Sequence, residues 1–199
     1  MVKFYQTRDQ RTWVYGPGRD FTSPVKMDGV FYFGGNYIGV RNNNEVKFYM
    51  TNKQGNWSYS PGKDFVSPTD VDGVFYYNHG SIGVWQGKTI KFYDTNLKGT
   101  WAKSTTGDFV SPDDIDGAFF LSNNFIGVRN GNTVKFYNLN EQGVWSYKQG
   151  IDFTVDPETD DVFYLATGAL GVLKGKSIKF YTESQQGAWT YDPDIDLNF

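Results

Sequence analysis

Cysteine is absent from the 199 residues. That removes a disulfide framework, thiolate metal sites and thiol nucleophiles. Histidine is reduced to one, His79, in a turn-forming stretch. A single imidazole cannot supply two axial haem ligands. Without an oriented partner it reads as a solvated side chain, not a catalytic base. Nucleophile elbows, zinc-binding pairs and phosphate loops are also missing, so the chain reads as non-enzymatic. Positive charge is not in excess: 19 Lys and Arg stand against 22 Asp and Glu, a formal net charge of -3. A nucleic-acid partner would call for a clustered basic face, and none is expected. No apolar run approaches the roughly 18 residues of a membrane span. The opening MVKFYQTRDQ lacks the basic segment and apolar run of a signal peptide. Cytoplasmic residence is the default reading, with release to the exterior as the alternative. No window holds a sustained helical period.

Aromatic residues, by contrast, make up 19% of the chain, and they recur in register. Val2-Lys3-Phe4-Tyr5 returns as Val46-Lys47-Phe48-Tyr49, Ile90-Lys91-Phe92-Tyr93, Val134-Lys135-Phe136-Tyr137 and Ile178-Lys179-Phe180-Tyr181, each 44 residues after the last. Branched and aromatic side chains suit a pleated surface, and a fixed period of this length marks a repeat architecture. Each complete unit reads as four short strands. In one copy these are Gly73–Tyr77, Ser81–Trp85, Thr89–Tyr93 and Thr100–Lys103, followed by a connector through Asp108-Phe109 to Pro112. Tryptophan keeps the same register at positions 13, 57, 101, 145 and 189. A strand glycine falls at Gly39, Gly83, Gly127 and Gly171, where close backbone approach or a bulge is expected.

Four-stranded units of this size cannot bury a core singly and must stack face to face. Radial stacking gives a small all-β propeller. The whole chain, 1–199, is then one repeat domain: a leading half-repeat over 1–26 and complete repeats over about 27–70, 71–114, 115–158 and 159–199. The first strand pair occurs four times and the second five times. A four-bladed ring is favoured, with five blades as the alternative, and the extra half could instead pair two chains in a homodimer.

The stretch Ile115-Asp116-Gly117-Ala118-Phe119, followed by Val134-Lys135-Phe136-Tyr137, resembles the hemopexin repeat, whose domains are four-bladed propellers. In that family a central channel can hold ions against the inner strands. The resemblance puts Asp28, Asp72, Asp116 and Asp160 near such a channel as metal candidates. The chain departs from the family in lacking a cysteine to tie the first and last blades. Phe75-Tyr76-Tyr77, Ile82-Gly83-Val84 and Lys91-Phe92-Tyr93, then a tryptophan, resemble the repeats of tachylectin-type propeller lectins. That likeness implies one amino-sugar site per blade. Phe48-Tyr49 through Gln54-Gly55 to Pro61-Gly62 is similar to a βγ-crystallin motif, without its aromatic before the glycine.

The candidate carbohydrate-binding set is Trp57, Trp101, Trp145 and Trp189 with Asp64, Asp108 and Asp152. Aromatic faces stack on sugar rings, and carboxylates accept hydroxyl hydrogens. The same residues have structural readings. Tryptophan can wedge between blades, and aspartate can bond its own turn. The lysine column reads as an exposed strand face that discourages edge pairing. No cofactor is expected. Calcium stays open as an alternative, although it wants six to eight oxygens and no dense carboxylate loop is seen. The function these residues suggest is a multivalent carbohydrate-binding protein, a lectin of glycans or glycoproteins with about one site per unit. The alternative is a hemopexin-like scaffold for a protein partner or a central ion. Should the tryptophans prove to be packing, the positions that differ between repeats, Tyr37, Ser81, Phe125 and Ala169, come next.

Overall fold

The computed structural model describes residues 1–7, 12–78, 80–96, 99–122, 124–165, 168–184 and 187–199. The chain opens with a hairpin of β1 (Tyr5–Thr7) and β2 (Trp13–Tyr15). The first blade follows: β3 (Gly29–Gly34), β4 (Tyr37–Asn42), β5 (Glu45–Thr51), β6 (Trp57–Tyr59) and β7 (Phe65–Val66). The second contains β8 (Gly73–Tyr76), β9 (Ser81–Gln86), β10 (Thr89–Thr95), β11 (Trp101–Lys103) and β12 (Phe109–Val110). The third contains β13 (Gly117–Phe120), β14 (Phe125–Asn130), β15 (Thr133–Leu139), β16 (Trp145–Tyr147) and β17 (Phe153–Thr154). The fourth contains β18 (Asp161–Leu165), β19 (Ala169–Lys174), β20 (Ser177–Glu183), β21 (Trp189–Tyr191) and β22 (Leu197–Asn198). Four antiparallel sheets in a ring form a four-bladed β-propeller. The helical residues among those described are two 3₁₀ turns, Pro17–Arg19 and Pro193–Ile195.

One strand reading needs correction. The Asp-Phe stretch, expected as a connector, re-joins the sheet. Tyr49 pairs Tyr59 on β6, whereas Val46 pairs Phe65 on β7. The outer strand is thus one strand broken by a loop over 60–64, and the sheet of each blade has five strands. Phenylalanine drives the return: Phe65 and Phe109 are buried to 3% and 2% exposure, so leaving them in a solvated connector would forgo most of their burial energy.

The strand glycines have a steric cause. A Cβ at Gly39 would lie 2.3 Å from the Phe31 ring, and Gly83, Gly127 and Gly171 meet Phe75, Phe119 and Phe163 in the same way. The inner-strand phenylalanine lies flat across its neighbour, which lets it reach the third-strand phenylalanine beyond. Phe48, Phe92, Phe136 and Phe180 there are at most 1% exposed. The core is accordingly a ring of separate aromatic layers, each between two blades.

The leading hairpin lies between the fourth and first blades. Val2 bridges Phe21, and Phe4 and Trp57 stack on each other in a layer with Ile38, Val40 and Tyr49 of the first blade. On its other side Tyr5 and Trp13 pack against Phe163, Leu165, Ile178 and Phe180 of the fourth. It supplies the outer half of a fifth position in the ring. The inner strands β3, β8, β13 and β18 neighbour one another in chain order, but β18 and β3 do not make the close approach that the other neighbours share.

Candidate binding sites around the ring

Each candidate tryptophan sits half-buried between units. Trp101 stacks on Phe48 of the preceding blade at 5.7 Å and 22°. Trp145 does the same on Phe92, and Trp189 on Phe136, at 5.5 and 5.6 Å. Their indole N–H groups are already engaged, donating to backbone carbonyls of the preceding unit. Trp57 donates to Arg19 O at 2.7 Å, Trp101 to Lys63 O at 2.7 Å, Trp145 to Gly107 O at 2.8 Å and Trp189 to Ile151 O at 2.9 Å. Trp13 of the leading hairpin completes the circle, donating to Ile195 O at 2.7 Å and stacking on Phe180 at 5.5 Å. The column is an interlock between units, the wedge reading of these residues.

The aspartates placed beside them take hydrogen bonds from the end of the outer strand. Tyr59 donates to Asp64, Tyr147 to Asp152 at 2.6 Å, and Lys103 reaches Asp108 at 3.0 Å. The hydrogen bond to Asp64 pushes the Tyr59 phenol up to about 12. Each carboxylate therefore clamps the loop that breaks the outer strand.

Asp28, Asp72, Asp116 and Asp160 each accept a backbone N–H from the next hairpin turn: Asn43 at 2.8 Å, Gly87 at 2.7 Å, and Gly131 and Gly175 at 2.6 Å. Those turn residues have φ between 53° and 60°, a region that favours glycine and asparagine. The aspartates thus brace turns. Asn43 N–H first, then Lys26, hold the Asp28 carboxyl below its ordinary value. Among the described residues no three His, Cys, Asp or Glu side chains are grouped to hold a metal ion. His79 lies outside the described residues. Of the variable positions, Ser81 donates to Asp94 at 2.6 Å and Ala169 is buried, while the Lys63 ammonium lies 4.7 Å from the Tyr37 ring centre. Phe125 opens β14, half-buried.

Two kinds of concavity remain. The first is a central cavity of about 860 Å³, lined by the inner strands of all four blades. Its walls are apolar and aromatic, including Phe31, Phe75, Phe119 and Phe163, with Asp28, Asp72, Asp116 and Asp161 at intervals. Asp161 replaces the glycine of the other repeats. Its side chain is open to the cavity, yet the surrounding protein desolvates its carboxyl and raises its pKa against the opposing pull of the Val162 N–H and Arg129. Arg129 ties the third blade to the fourth, donating to Thr159 O at 2.7 Å, and Arg41 reaches Val71 O at 3.3 Å in the same manner.

The second kind is lateral and repeated. A pocket of about 220 Å³ on the second blade is lined by Ser67, Thr69, Val84, Gln86, Thr89, Lys91 and Tyr93, among others. A smaller one, about 80 Å³, on the third blade is lined by Ser111, Asp113, Val128, Asn130, Thr133, Lys135 and Tyr137. Every residue of the second set lies 44 positions after its counterpart in the first. The floor is built by the connector. Ser67 and Ser111, both almost fully buried, accept the N–H of Thr69 and Asp113 through their hydroxyls. Lys135 turns toward Asp113 at 3.7 Å, whereas Thr69 stands at that position in the larger pocket. Burial is the first cause that raises the Tyr93 and Tyr137 phenols.

The lysine column was expected to guard a sheet edge. In the blades it lies on β5, β10, β15 and β20, which are paired on both sides, so edge protection does not apply there. Sequence reasoning missed Lys91 and Lys135 as pocket residues, and the signal that could have found them was the recurrence of Ser67, Thr89 and Lys91 as the same residue types one period later.

No family model and no curated protein matches the chain. Solved structures do. A functionally unknown protein from Desulfotomaculum acetoxidans DSM 771 is 13% identical at a TM-score of 0.50, over 79% of this chain and 51% of that one. A Lactobacillus plantarum protein is 13% identical at 0.53, over 98% and 65%. A plant albumin from Cicer arietinum showing hemagglutination is 10% identical at 0.52, over 85% and 92%. The chain spans about half the length of the first and 65% of the second. No helix of the described residues is long and apolar enough to cross a membrane. At these identities the likeness shows the fold alone, and that fold is the four-bladed β-propeller.

Proposed function

We propose that the chain is a non-enzymatic, multivalent carbohydrate-binding protein whose sugars occupy the lateral pockets rather than the tryptophan column. One observation carries the reading: two pockets, one period apart, share Ser67/Ser111, Thr89/Thr133, Lys91/Lys135 and Tyr93/Tyr137. Each offers a hydroxyl, an amide, an ammonium and an aromatic ring within one concavity. Lysine donates but cannot accept, so it suits sugar oxygens, a carboxylate or an N-acetyl carbonyl and repels a free ammonium. N-acetylated sugars are therefore the ligand class for both pockets, with acidic sugars suited only to the second-blade pocket, whose lining holds no carboxylate, since Asp113 faces Lys135 in the other. The volumes, about 220 and 80 Å³, are below the ~300–1,000 Å³ of drug-sized sites, so the larger pocket suits one sugar unit and the smaller one a substituent of it. Weak sites repeated on one rigid body gain avidity of order 10² to 10⁴ on a multivalent surface. The hemagglutination named for the Cicer arietinum albumin, a protein of this fold, is in keeping with such use.

A glycan array followed by titration calorimetry tests this. We expect about two sites per chain, one after Lys91→Ala and none after Lys91→Ala with Lys135→Ala, at unchanged melting temperature. Silence across the array, or binding untouched in the double variant, rejects it. The central cavity supports the second reading, a scaffold for a protein partner or an ion, because carboxylates and apolar walls from all four blades line one space.

A further inference from the structure

We infer that the seam between the fourth and first blades is a docking slot for one β-hairpin with the alternating apolar pattern of this chain's own inner strand pairs. Three features converge there. First, β1 pairs only with β2, so its other edge has no strand partner among the described residues. Even-numbered Val2 and Phe4 bond outward, to Phe21 and Gly16. The backbone groups of Lys3 and Tyr5 therefore face the seam, as those of Lys91 and Tyr93 face β9, where they pair with Val84 and Ile82. An open edge of this kind is a template for strand addition.

Second, both walls of the seam are apolar and less covered than elsewhere. On the first blade Val30 is 39% and Tyr32 64% exposed, whereas the counterparts of Val30 in the third and fourth blades, Ala118 and Val162, are 9% and 5% exposed. On the fourth blade Ile178 is only half-buried, whereas Val46, Ile90 and Val134 are fully buried. At the other junctions the next blade's inner pair covers this face. Val74, Ile82 and Val84, for example, pack on Phe33, Val46 and Phe48.

Third, the outer interlock is already set at the pitch of a further unit. Trp13 grips Ile195 O just as Trp57, Trp101, Trp145 and Trp189 grip their predecessors. Phe199 lies beside Tyr5, ring centres 6.0 Å apart, at the position equivalent to Ser67, which lines one pocket with Tyr93 between the first and second blades. The outer half of the position is built and the inner half is open. The occupant's chemistry follows: β-branched and aromatic residues alternating on both faces, a two-residue turn-sized bend, and a glycine opposite its first-strand phenylalanine.

The test uses the intact protein in two forms. A fusion carries a copy of residues 68–88 appended to Phe199, which keeps the 44-residue register, since Phe199 stands where Ser67 does. The second experiment adds the same 21-residue segment as a synthetic peptide. In the fusion we expect the Lys3 and Tyr5 amides to exchange at least about tenfold more slowly, the appended strands to be protected, and the melting temperature to rise by at least about 5 °C. The free peptide should protect the same two amides at one per chain. A peptide with lysine at the positions of Phe75 and Ile82 should not. Appended residues that exchange as an unstructured tail overturn the inference, as does peptide binding that leaves Lys3 and Tyr5 unprotected. A concentration-dependent dimer that protects those amides without peptide hands the slot to a second copy and overturns it too.

Discussion

Replacing Trp101 by alanine separates the two uses of the tryptophan column. The side chain stacks on Phe48, meets Phe33 and Phe65 edge-on at 5.9 and 5.6 Å, and donates to Lys63 O. Full truncation of a buried tryptophan or phenylalanine costs about 3–5 kcal/mol. Trp101 is half-buried, which places it near the lower end, about 3 kcal/mol. Trp101→Phe keeps most of the ring and loses the N–H bond, worth about 1 kcal/mol. For a chain of this length each kcal/mol moves the melting temperature by about 2–4 °C, so the alanine variant should melt about 6–12 °C lower and the phenylalanine variant about 2–4 °C lower. The assay pairs thermal and urea unfolding with sugar titration of the folded fraction. The stoichiometry per folded molecule should match the parent protein. A Trp101→Ala variant that melts within about 1 °C of the parent and loses one sugar site would refute the reasoning, because the ring would then be recognising ligand rather than joining blades. Trp13→Ala should act more locally. Its hairpin lacks an inner pair, so exchange across Tyr5–Thr7 and Trp13–Tyr15 should speed up before the blades melt.

Several tyrosines have pKa values above 10, and Tyr59, Tyr77 and Tyr191 reach about 12. A raised folded value means the stabilisation is complete below about pH 10, the unfolded value, and is lost as pH climbs towards 12; ultraviolet titration should show tyrosines resisting ionisation until alkaline unfolding, and a full titration at pH 10 would contradict this. Tyr77→Phe should stabilise by about 1 kcal/mol, read as a raised urea midpoint, because its buried hydroxyl has no partner among the described residues and the first blade carries Phe33 at that position; a lower midpoint would reveal a bond to the hydroxyl. A calcium chelator should leave melting unchanged, whereas Asp116→Ala should cost about 1 kcal/mol by freeing the Gly131 N–H; a chelator-induced drop would instead make the aspartate ring an ion site.

The fold was readable because the repeat is strict. Forty-four residues without insertion place four strands of every unit, and the five tryptophans mark five outer positions. What escaped the sequence was determined by partners distant in the chain. Phe65 and Phe109 sit among polar, proline-containing residues, so their return to the sheet beside Val46 and Ile90 depends on a core that local pattern does not reveal. The same holds for the pockets. Ser67 and Lys91 are 24 positions apart and belong to different units, and only the ring brings connector and strand together. Tryptophan and aspartate stood out by type, yet side chains repeated in every unit are those that every junction needs. A ligand site is under no such demand, and the pockets are polar in the second and third units while Val155 and Pro157 replace serine and the Thr or Asp in the fourth.

That contrast between what repeats five times and what repeats four times bears on how the ring closes. A propeller whose ends met within one sheet would be sealed by strand pairing. Here the leading hairpin and the fourth blade meet across a junction, joined by the Trp13 interlock and aromatic packing without a shared ladder. Packing across an interface tolerates sliding more readily than a hydrogen-bonded register does. Two residues facing the fourth-to-first junction, Tyr32 and Ile178, are less buried than a sealed core would leave them. At this seam β1 has an edge without a strand partner among the described residues, so a hairpin that occupies the seam should also stabilise it.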